Sequence, residues 1–295
     1  MDDPRTLHRY VPGRPHWWQW LTVLSLDAPL VAIAWQLALA QVAGVSLKAH
    51  HTFILGGAVW LAYAVDRWIE GWRLDPARIE TQRHWFYQQW RWPVAAIWVF
   101  VLVVALDLSL TRLTRAELTS GLLLLVPVLM YLLSHQFLHR DRRWRAPKEI
   151  CVALLFAIGV ACFPVANRPA VLSSLAIPLT LFGLLCFADC ALISLWEDEV
   201  DRSHGQTSLA LQFPQGRPYV RALPWIIAAL GMVAALTQAG GELKAITTCA
   251  ACSGGLLGAL DLAHRRLGRQ LSRALVDLTL QTPFIFLLWI RFYGA

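Results

Sequence analysis

The sequence predicts an all-α fold: one integral membrane domain over residues 1–295, with nine transmembrane helices around a central cavity. Three observations predict it. The first is composition. The 295 residues are 57% hydrophobic and only 15% charged, with a mean hydropathy of +0.49, whereas a soluble domain carries about 25% charged residues. The second is a series of apolar runs long enough to span a bilayer, which takes about 20 residues. The third is a strong asymmetry of positive charge between alternate loops.

Residues 1–19 form a polar, basic segment with Arg5, Arg9, Arg14 and His16. No short apolar stretch ending in an A-x-A site follows it, so the first run is read as an anchor and not a cleaved leader. The nine runs are 20–40, 50–70, 93–110, 118–137, 149–166, 171–195, 220–239, 243–263 and 273–291. Each is read as a helix, because lipid cannot satisfy exposed backbone groups and β-barrel alternation is absent. No repeat, flexible linker or soluble domain interrupts the series.

Nine spans place the N-terminus and the even-numbered loops on one side. Of the 26 Lys and Arg residues, 20 fall on that side, concentrated around Arg67–Arg91, Arg140–Lys148, Arg202–Arg221 and Arg265–Arg273. The six on the other are Lys48, Arg112, Arg115, Arg168, Lys244 and Arg291. The positive-inside rule assigns the richer side to the cytoplasm, leaving the C-terminus opposite. The net charge of +7 therefore describes a basic cytoplasmic face. Its partners are anionic membrane lipid or a phosphate-bearing substrate, with nothing pointing to nucleic acid. The pattern fits a bacterial inner membrane.

Tryptophan is abundant, with 15 residues. Many, such as Trp17, Trp18, Trp20, Trp72, Trp90, Trp92 and Trp196, sit at the ends of runs, where an indole is half in lipid and half in water. The six cysteines lie inside apolar runs and read as small hydrophobes. Cys249 and Cys252 make a C-x-x-C, but without the polar flanks a redox or metal role needs.

Carboxylates near membrane depth are costly and mark function. Two clusters lie at the cytoplasmic ends of helices. Asp66 and Glu70 close the second run; Glu197, Asp198, Glu199 and Asp201 follow the sixth. In each cluster an i, i+4 pair, Asp66/Glu70 or Glu197/Asp201, shares one helix face. Four carboxylates within six residues repel unless cations compensate. A hard cation such as Mg²⁺ takes oxygen ligands and holds phosphates through carboxylates. Ordinary interfacial charge paired with Arg67, Arg73 and Arg202 is the simpler account of either cluster.

At these residues the chain resembles the UbiA-type intramembrane prenyltransferases, a nine-helix family with two Asp-rich motifs after helices two and six. Glu197-x-x-x-Asp201, with Arg202, Gly205 and Ser208-Leu209, is similar to the second motif. Asp66-Arg67-x-x-Glu70 is similar to the tail of the first. Lys148-Glu149, opening the fifth run, matches the family's basic start to that helix. The chain departs where Ala62 and Tyr63 stand in place of the first motif's Asn and Asp, and where Ser194 stands in place of an Asp. The resemblance implies transfer of an isoprenyl group from a polyprenyl diphosphate to a hydrophobic, aromatic or cyclic acceptor. It implies Mg²⁺ on Asp66, Glu70, Glu197, Asp198 and Asp201, with the catalytic centre at Asp66, Glu70, Glu197 and Asp201. Diphosphate contacts fall to Arg83, Lys148 and Arg202.

Two other functions compete: a non-catalytic lipid- or quinone-binding or assembly protein of the same fold, and a small-molecule transporter. Repeats and broken mid-membrane helices would favour the transporter. Asp189, in mid-run, is expected to face the interior, as an acceptor contact or a helix–helix hydrogen bond, together with Asp27, Asp261 and Asp277. His135 and His139 have the spacing of a helical metal pair but no third ligand.

Overall fold

A computed structural model describes residues 15–73, 81–134, 148–203 and 208–293. Among these there are fourteen α-helices and no strand. In chain order they are α1 (Trp20–Val23), α2 (Asp27–Val42), α3 (Ala49–Arg73), α4 (Gln82–Gln89), α5 (Arg91–Arg112), α6 (Arg115–Leu133), α7 (Lys148–Asn167), α8 (Leu172–Trp196), α9 (Asp198–Ser203), α10 (Leu209–Gln212), α11 (Arg217–Thr237), α12 (Gly241–Leu267), α13 (Arg269–Thr279) and α14 (Pro283–Tyr293). The N-terminal arginines Arg5, Arg9 and Arg14, the histidines His135 and His139, the basic stretch 140–145 and Gly205 lie outside the described residues.

Six helices are long and apolar enough to cross a membrane: α5, α6, α7, α8 with its 3-10 lead-in, α11 with its lead-in, and α12. Two bent pairs raise the count to eight if each is one span: residues 17–23 with α2, bent by 78°, and α13 with α14, bent by 44°. The sequence expectation of nine is higher because α3, at 25 residues long enough, carries His50, His51, Asp66, Arg67, Glu70 and Arg73. The runs 20–40 and 273–291 are thus not straight helices, and the stretches 66–91 and 196–219, expected as loops, hold α4, α9 and α10.

Helix α2 is the axis. Ala34, Trp35, Ala38 and Leu39 are fully buried, and α3, α7, α12, α13 and α14 pack around it. Trp35 stacks on Phe182 of α8 with ring centroids 4.6 Å apart. By contrast, only 6% of the apolar stretch of α5, and the same of α6, is buried inside the protein. Helices apolar all round with so little protein cover have lipid as their natural solvent.

Both bends expose backbone groups, and neighbouring side chains take them up. Ser25 adopts a left-handed φ of 56° between α1 and α2, a conformation that costs a non-glycine residue about 1–2 kcal/mol. The Trp60 indole N–H donates to the Leu24 carbonyl at 3.0 Å, and the Tyr87 hydroxyl donates to Ser25 Oγ at 3.0 Å. At the second bend the Trp35 indole donates to the Leu280 carbonyl at 2.8 Å. The Ser253 hydroxyl of α12 donates to the Thr279 carbonyl at 2.8 Å, and Thr282 donates back to the Cys249 carbonyl at 2.9 Å.

At one end of the bundle, α6 starts in a capping box between Thr114 and Glu117. Glu117 also accepts from Asn167 at 2.6 Å and lies 2.8 Å from His51 Nε2. Gln41 bonds Glu242 at 3.1 Å and Arg168 bonds the Ala43 carbonyl at 3.2 Å. Segments following α2, α5, α7 and α11 therefore meet at this end.

Helices α11 and α12 approach through small residues. A Cβ on Gly254 would come within 2.8 Å of the Ala228 nitrogen and the Pro224 carbonyl oxygen, whereas one on Gly255 meets nothing within 4 Å. Gly254→Ala should lower the melting temperature in detergent through a loss of about 2 kcal/mol, since backbone must move. Gly255→Ala, the adjacent control, should leave it unchanged or raise it slightly.

Candidate functional site

At the opposite end, the two acidic segments come together. The last two turns of α3 carry Asp66, Arg67 and Glu70. Helix α4 folds back beneath it, started by Thr81, whose side chain accepts from the His84 backbone N–H. Thr81 Oγ1 lies 2.7 Å from His84 Nδ1, and His84 Nε2 lies 3.1 Å from Glu70. This pattern fits an imidazole with its proton on Nε2, donating to the carboxylate and accepting from the hydroxyl. Burial holds His84 below its ordinary pKa despite Glu70.

Arg83, on the first turn of α4, reaches across to Glu197 at 3.0 Å. Glu197 is the C-cap of α8, where the chain turns into α9. Burial pushes the Glu197 carboxyl up, but Arg83, backed by Arg273 and Arg269, holds it below the usual carboxylate range. Asp201, one turn on, is buried, and burial lifts it above that range although Lys148 faces it. Lys148, opening α7, has Asp201, Glu149, Glu70 and Asp66 as its anionic neighbours. Asp66, Glu70, Glu197 and Asp201 thus surround Arg83 and Lys148, two of the three cations nominated for diphosphate.

The other nominated residues fall outside this ring. Asp198 pairs with Arg217 at 2.5 Å, and Arg202 is exposed. Among the described residues, no three His, Cys, Asp or Glu side chains form a group that could hold a metal ion. Three of the nominated carboxylates already have partners: Glu197 pairs with Arg83, Asp198 pairs with Arg217, and Glu70 accepts a hydrogen bond from the neutral His84. In this arrangement the residues do not fit a bound Mg²⁺. Tyr63, in the place of the first motif's Asp, packs edge-on to Phe156 at 6.0 Å and lies under Arg67.

Asp27, Asp189 and Asp277 are buried as expected, but the partners of these and of several other polar residues were not foreseen. Glu149 accepts from the Leu209 backbone N–H at 3.0 Å, and Ser194 from that of Ala210 at 2.9 Å. Both tie α10 to the bundle, so Ser194 anchors the loop where the family has a carboxylate. Arg273 binds Asp277 at 2.5 Å and lies 3.9 Å from Asp27, with Asp189 beside them. These four residues join α2, α8 and α13. Asp261 instead accepts from the Trp196 indole at 2.9 Å, near the rim. The signal for Arg273 was only its i, i+4 spacing to Asp277.

No family model, curated protein or solved structure matches this chain.

The depressed His84 value yields a pH prediction. The unfolded chain protonates His84 near its ordinary value of 6.5, before the folded protein does. The unfolded state then binds more protons, so stability falls as pH drops through and below about 6.5. Thermal melts in detergent between pH 8 and pH 5 should show this decline, and His84→Gln should flatten it.

Proposed function

We propose that the protein is an intramembrane prenyltransferase, moving an isoprenyl group from a polyprenyl diphosphate to a hydrophobic, aromatic or cyclic acceptor. The observation that carries this reading is the convergence of Asp66, Glu70, Glu197 and Asp201 on Arg83 and Lys148 at one rim of the bundle. Loss of an allylic diphosphate leaves concentrated negative charge, and preorganised cations stabilise it as the C–O bond breaks. Arg83 and Lys148 are placed to bind its oxygens with charge-assisted hydrogen bonds. The allylic cation is then attacked by an electron-rich carbon of the acceptor, which loses a proton to restore neutrality. A bound Mg²⁺, which the resemblance implies, has no assembled ligand set here, so the metal is left to the assay.

The proposal includes a nine-span topology with α3 as a span, the N-terminus in the cytoplasm and the C-terminus opposite, in a bacterial inner membrane. The grouping of segments supports it. Residues preceding α2 and following α3, α8 and α12 line one cavity. Those following α2, α5, α7 and α11 meet at the other end.

A second reading, a non-catalytic lipid- or quinone-binding protein, is favoured by the neutralised carboxylates and by the packing role of Tyr63. One experiment separates the two. Farnesyl and geranylgeranyl diphosphate are incubated with purified protein in detergent, with and without Mg²⁺ and with a panel of aromatic acceptors. The transferase reading expects acceptor-stimulated diphosphate release, reduced at least about 100-fold in Asp66→Ala and in Asp201→Ala. Donor binding without release under every condition would establish the non-catalytic reading instead.

A further inference from the structure

A cavity of about 280 Å³ lies between α8 and α11 near the charged rim, with α10 closing its upper end. Leu195, Ala191 and Phe187 make its floor, four residues apart on one face of α8, and Val220 and Leu223 of α11 stand opposite. That floor runs down α8 for two turns, about 12 Å at 1.5 Å per residue. None of Asp66, Glu70, Arg83, Lys148, Glu197 and Asp201 lines it. The roof is fixed, because Glu149 and Ser194 hold the backbone N–H groups of Leu209 and Ala210.

The lining is divided between an apolar floor and a polar mouth. Among the described residues that line it, Arg217 alone is ionic, and it shares the rim end with exposed Phe213 and Tyr219. A tyrosine at the end of a span sits at headgroup level. Deeper in, the walls are apolar, and water needs two to four polar partners to stay in a cavity. An apolar void left empty forfeits the dispersion contacts of its walls. A dry cavity of about 150 Å³ already takes up benzene, so this one has room for a hydrocarbon segment roughly twice that size. Past Phe187 the same stripe of α8 continues as half-buried Leu184 and exposed Thr180. The cavity therefore runs out onto the lipid-facing side of a helix that crosses the membrane.

We infer that this cavity seats one acyl chain of a membrane glycerophospholipid whose phosphate rests on Arg217. The Arg217 side chain is 45% exposed and gives one arm to Asp198. A guanidinium carries five N–H donors in a fixed fork, so its other arm can hold a phosphate oxygen. Arg202, exposed on the α9 face that also carries Asp198, adds positive charge at that level. A chain leaving a phosphate at the headgroup level descends along the span, the direction in which Leu195, Ala191 and Phe187 follow one another. One chain lies in the cavity and the second stays in the bilayer. Such a lipid is a structural ligand, bound whether or not the rim catalyses transfer.

The test uses the full chain in glyco-diosgenin, a detergent with a rigid steroid body and no alkyl chain to compete. Dioleoyl phosphatidylglycerol is titrated and bound lipid is counted by native mass spectrometry, beside diolein, which has the chains and no phosphate. One tightly held phospholipid per protein chain is expected, with diolein at least about 10-fold weaker, the size of a lost charge-assisted hydrogen bond. Arg217→Gln should weaken the phospholipid by a similar factor, and Leu223→Trp, which fills the cavity, by at least about 5-fold. Leu123→Trp, on lipid-facing α6 and 69% exposed in the wild type, should change nothing. Unchanged melting without lipid certifies each variant's fold. Should Leu223→Trp fail that check, Arg217→Gln carries the test, since an exposed ion pair adds little stability. Equal phospholipid binding by wild type and the folded variants would overturn the inference, as would diolein binding as tightly as phosphatidylglycerol. A lipid-free dimer that Leu223→Trp disperses would overturn it too, by seating a second copy of the chain on this face.

Discussion

The structure depends on one constraint: every backbone group freed within an apolar medium must find a partner. Two of the bundle's helical passes are broken, near Ser25 and near Leu280, and each break would strand carbonyl oxygens. Side chains from elsewhere in the chain take up carbonyls at both, Trp60 at the first and Trp35 and Ser253 at the second, while Tyr87 holds the Ser25 hydroxyl. The repairs also fix tertiary geometry. Trp35 cannot reach Leu280 unless α2 runs beside α13 and α14, and it stacks on Phe182 only when α8 lies against the other side of α2. Satisfying two breaks thus places the central helix and the helices around it.

The same physics governs the charged rim. A carboxylate taken out of water needs a cation or several donors nearby. Here each strongly acidic segment is matched: Glu70 by His84, Glu197 by Arg83, Asp198 by Arg217, and Asp27 with Asp277 by Arg273. Among the described residues, Glu197 and Asp198 are thus engaged by arginines and do not stand open to a cation. Local geometry follows from these pairs: Arg83 can hold Glu197 only because Thr81 starts α4 at a point that turns its first residues toward α8.

Much of this was legible in the residues themselves. The i, i+4 spacing of Asp66 with Glu70 and of Glu197 with Asp201 put each pair on one helix face. The alternation of basic loops sorted the segments into two sets, and the same sets meet at the two ends of the bundle. Arg83 and Lys148 could be nominated as cations through the family resemblance, but that Arg83 lies on the first turn of a helix was not legible. Other features left no trace. Tryptophan-rich run ends read as an interfacial belt, which suits exposed Trp17, Trp72 and Trp92, but Trp35, Trp60 and Trp98 are hydrogen-bond donors to buried carbonyls. Each bend has a proline just past it, Pro29 in the first turn of α2 and Pro283 opening α14, a usable signal of a helix start, but nothing local announces the left-handed Ser25.

By itself, then, the sequence determined the solvent the protein folds in, the helical content and the two-sided distribution of charge. These follow from composition and from short-range periodicity, which any helix of that sequence must express. The tertiary structure alone decided which carboxylate meets which cation, where helices break and which side chains mend them, and that Gln19 and Gln270, 251 positions apart, wall one cavity. Those outcomes turn on the rotation and depth of each helix against its neighbours. That choice is made by packing and by satisfying buried polar groups over the whole bundle, and no local stretch of residues encodes it.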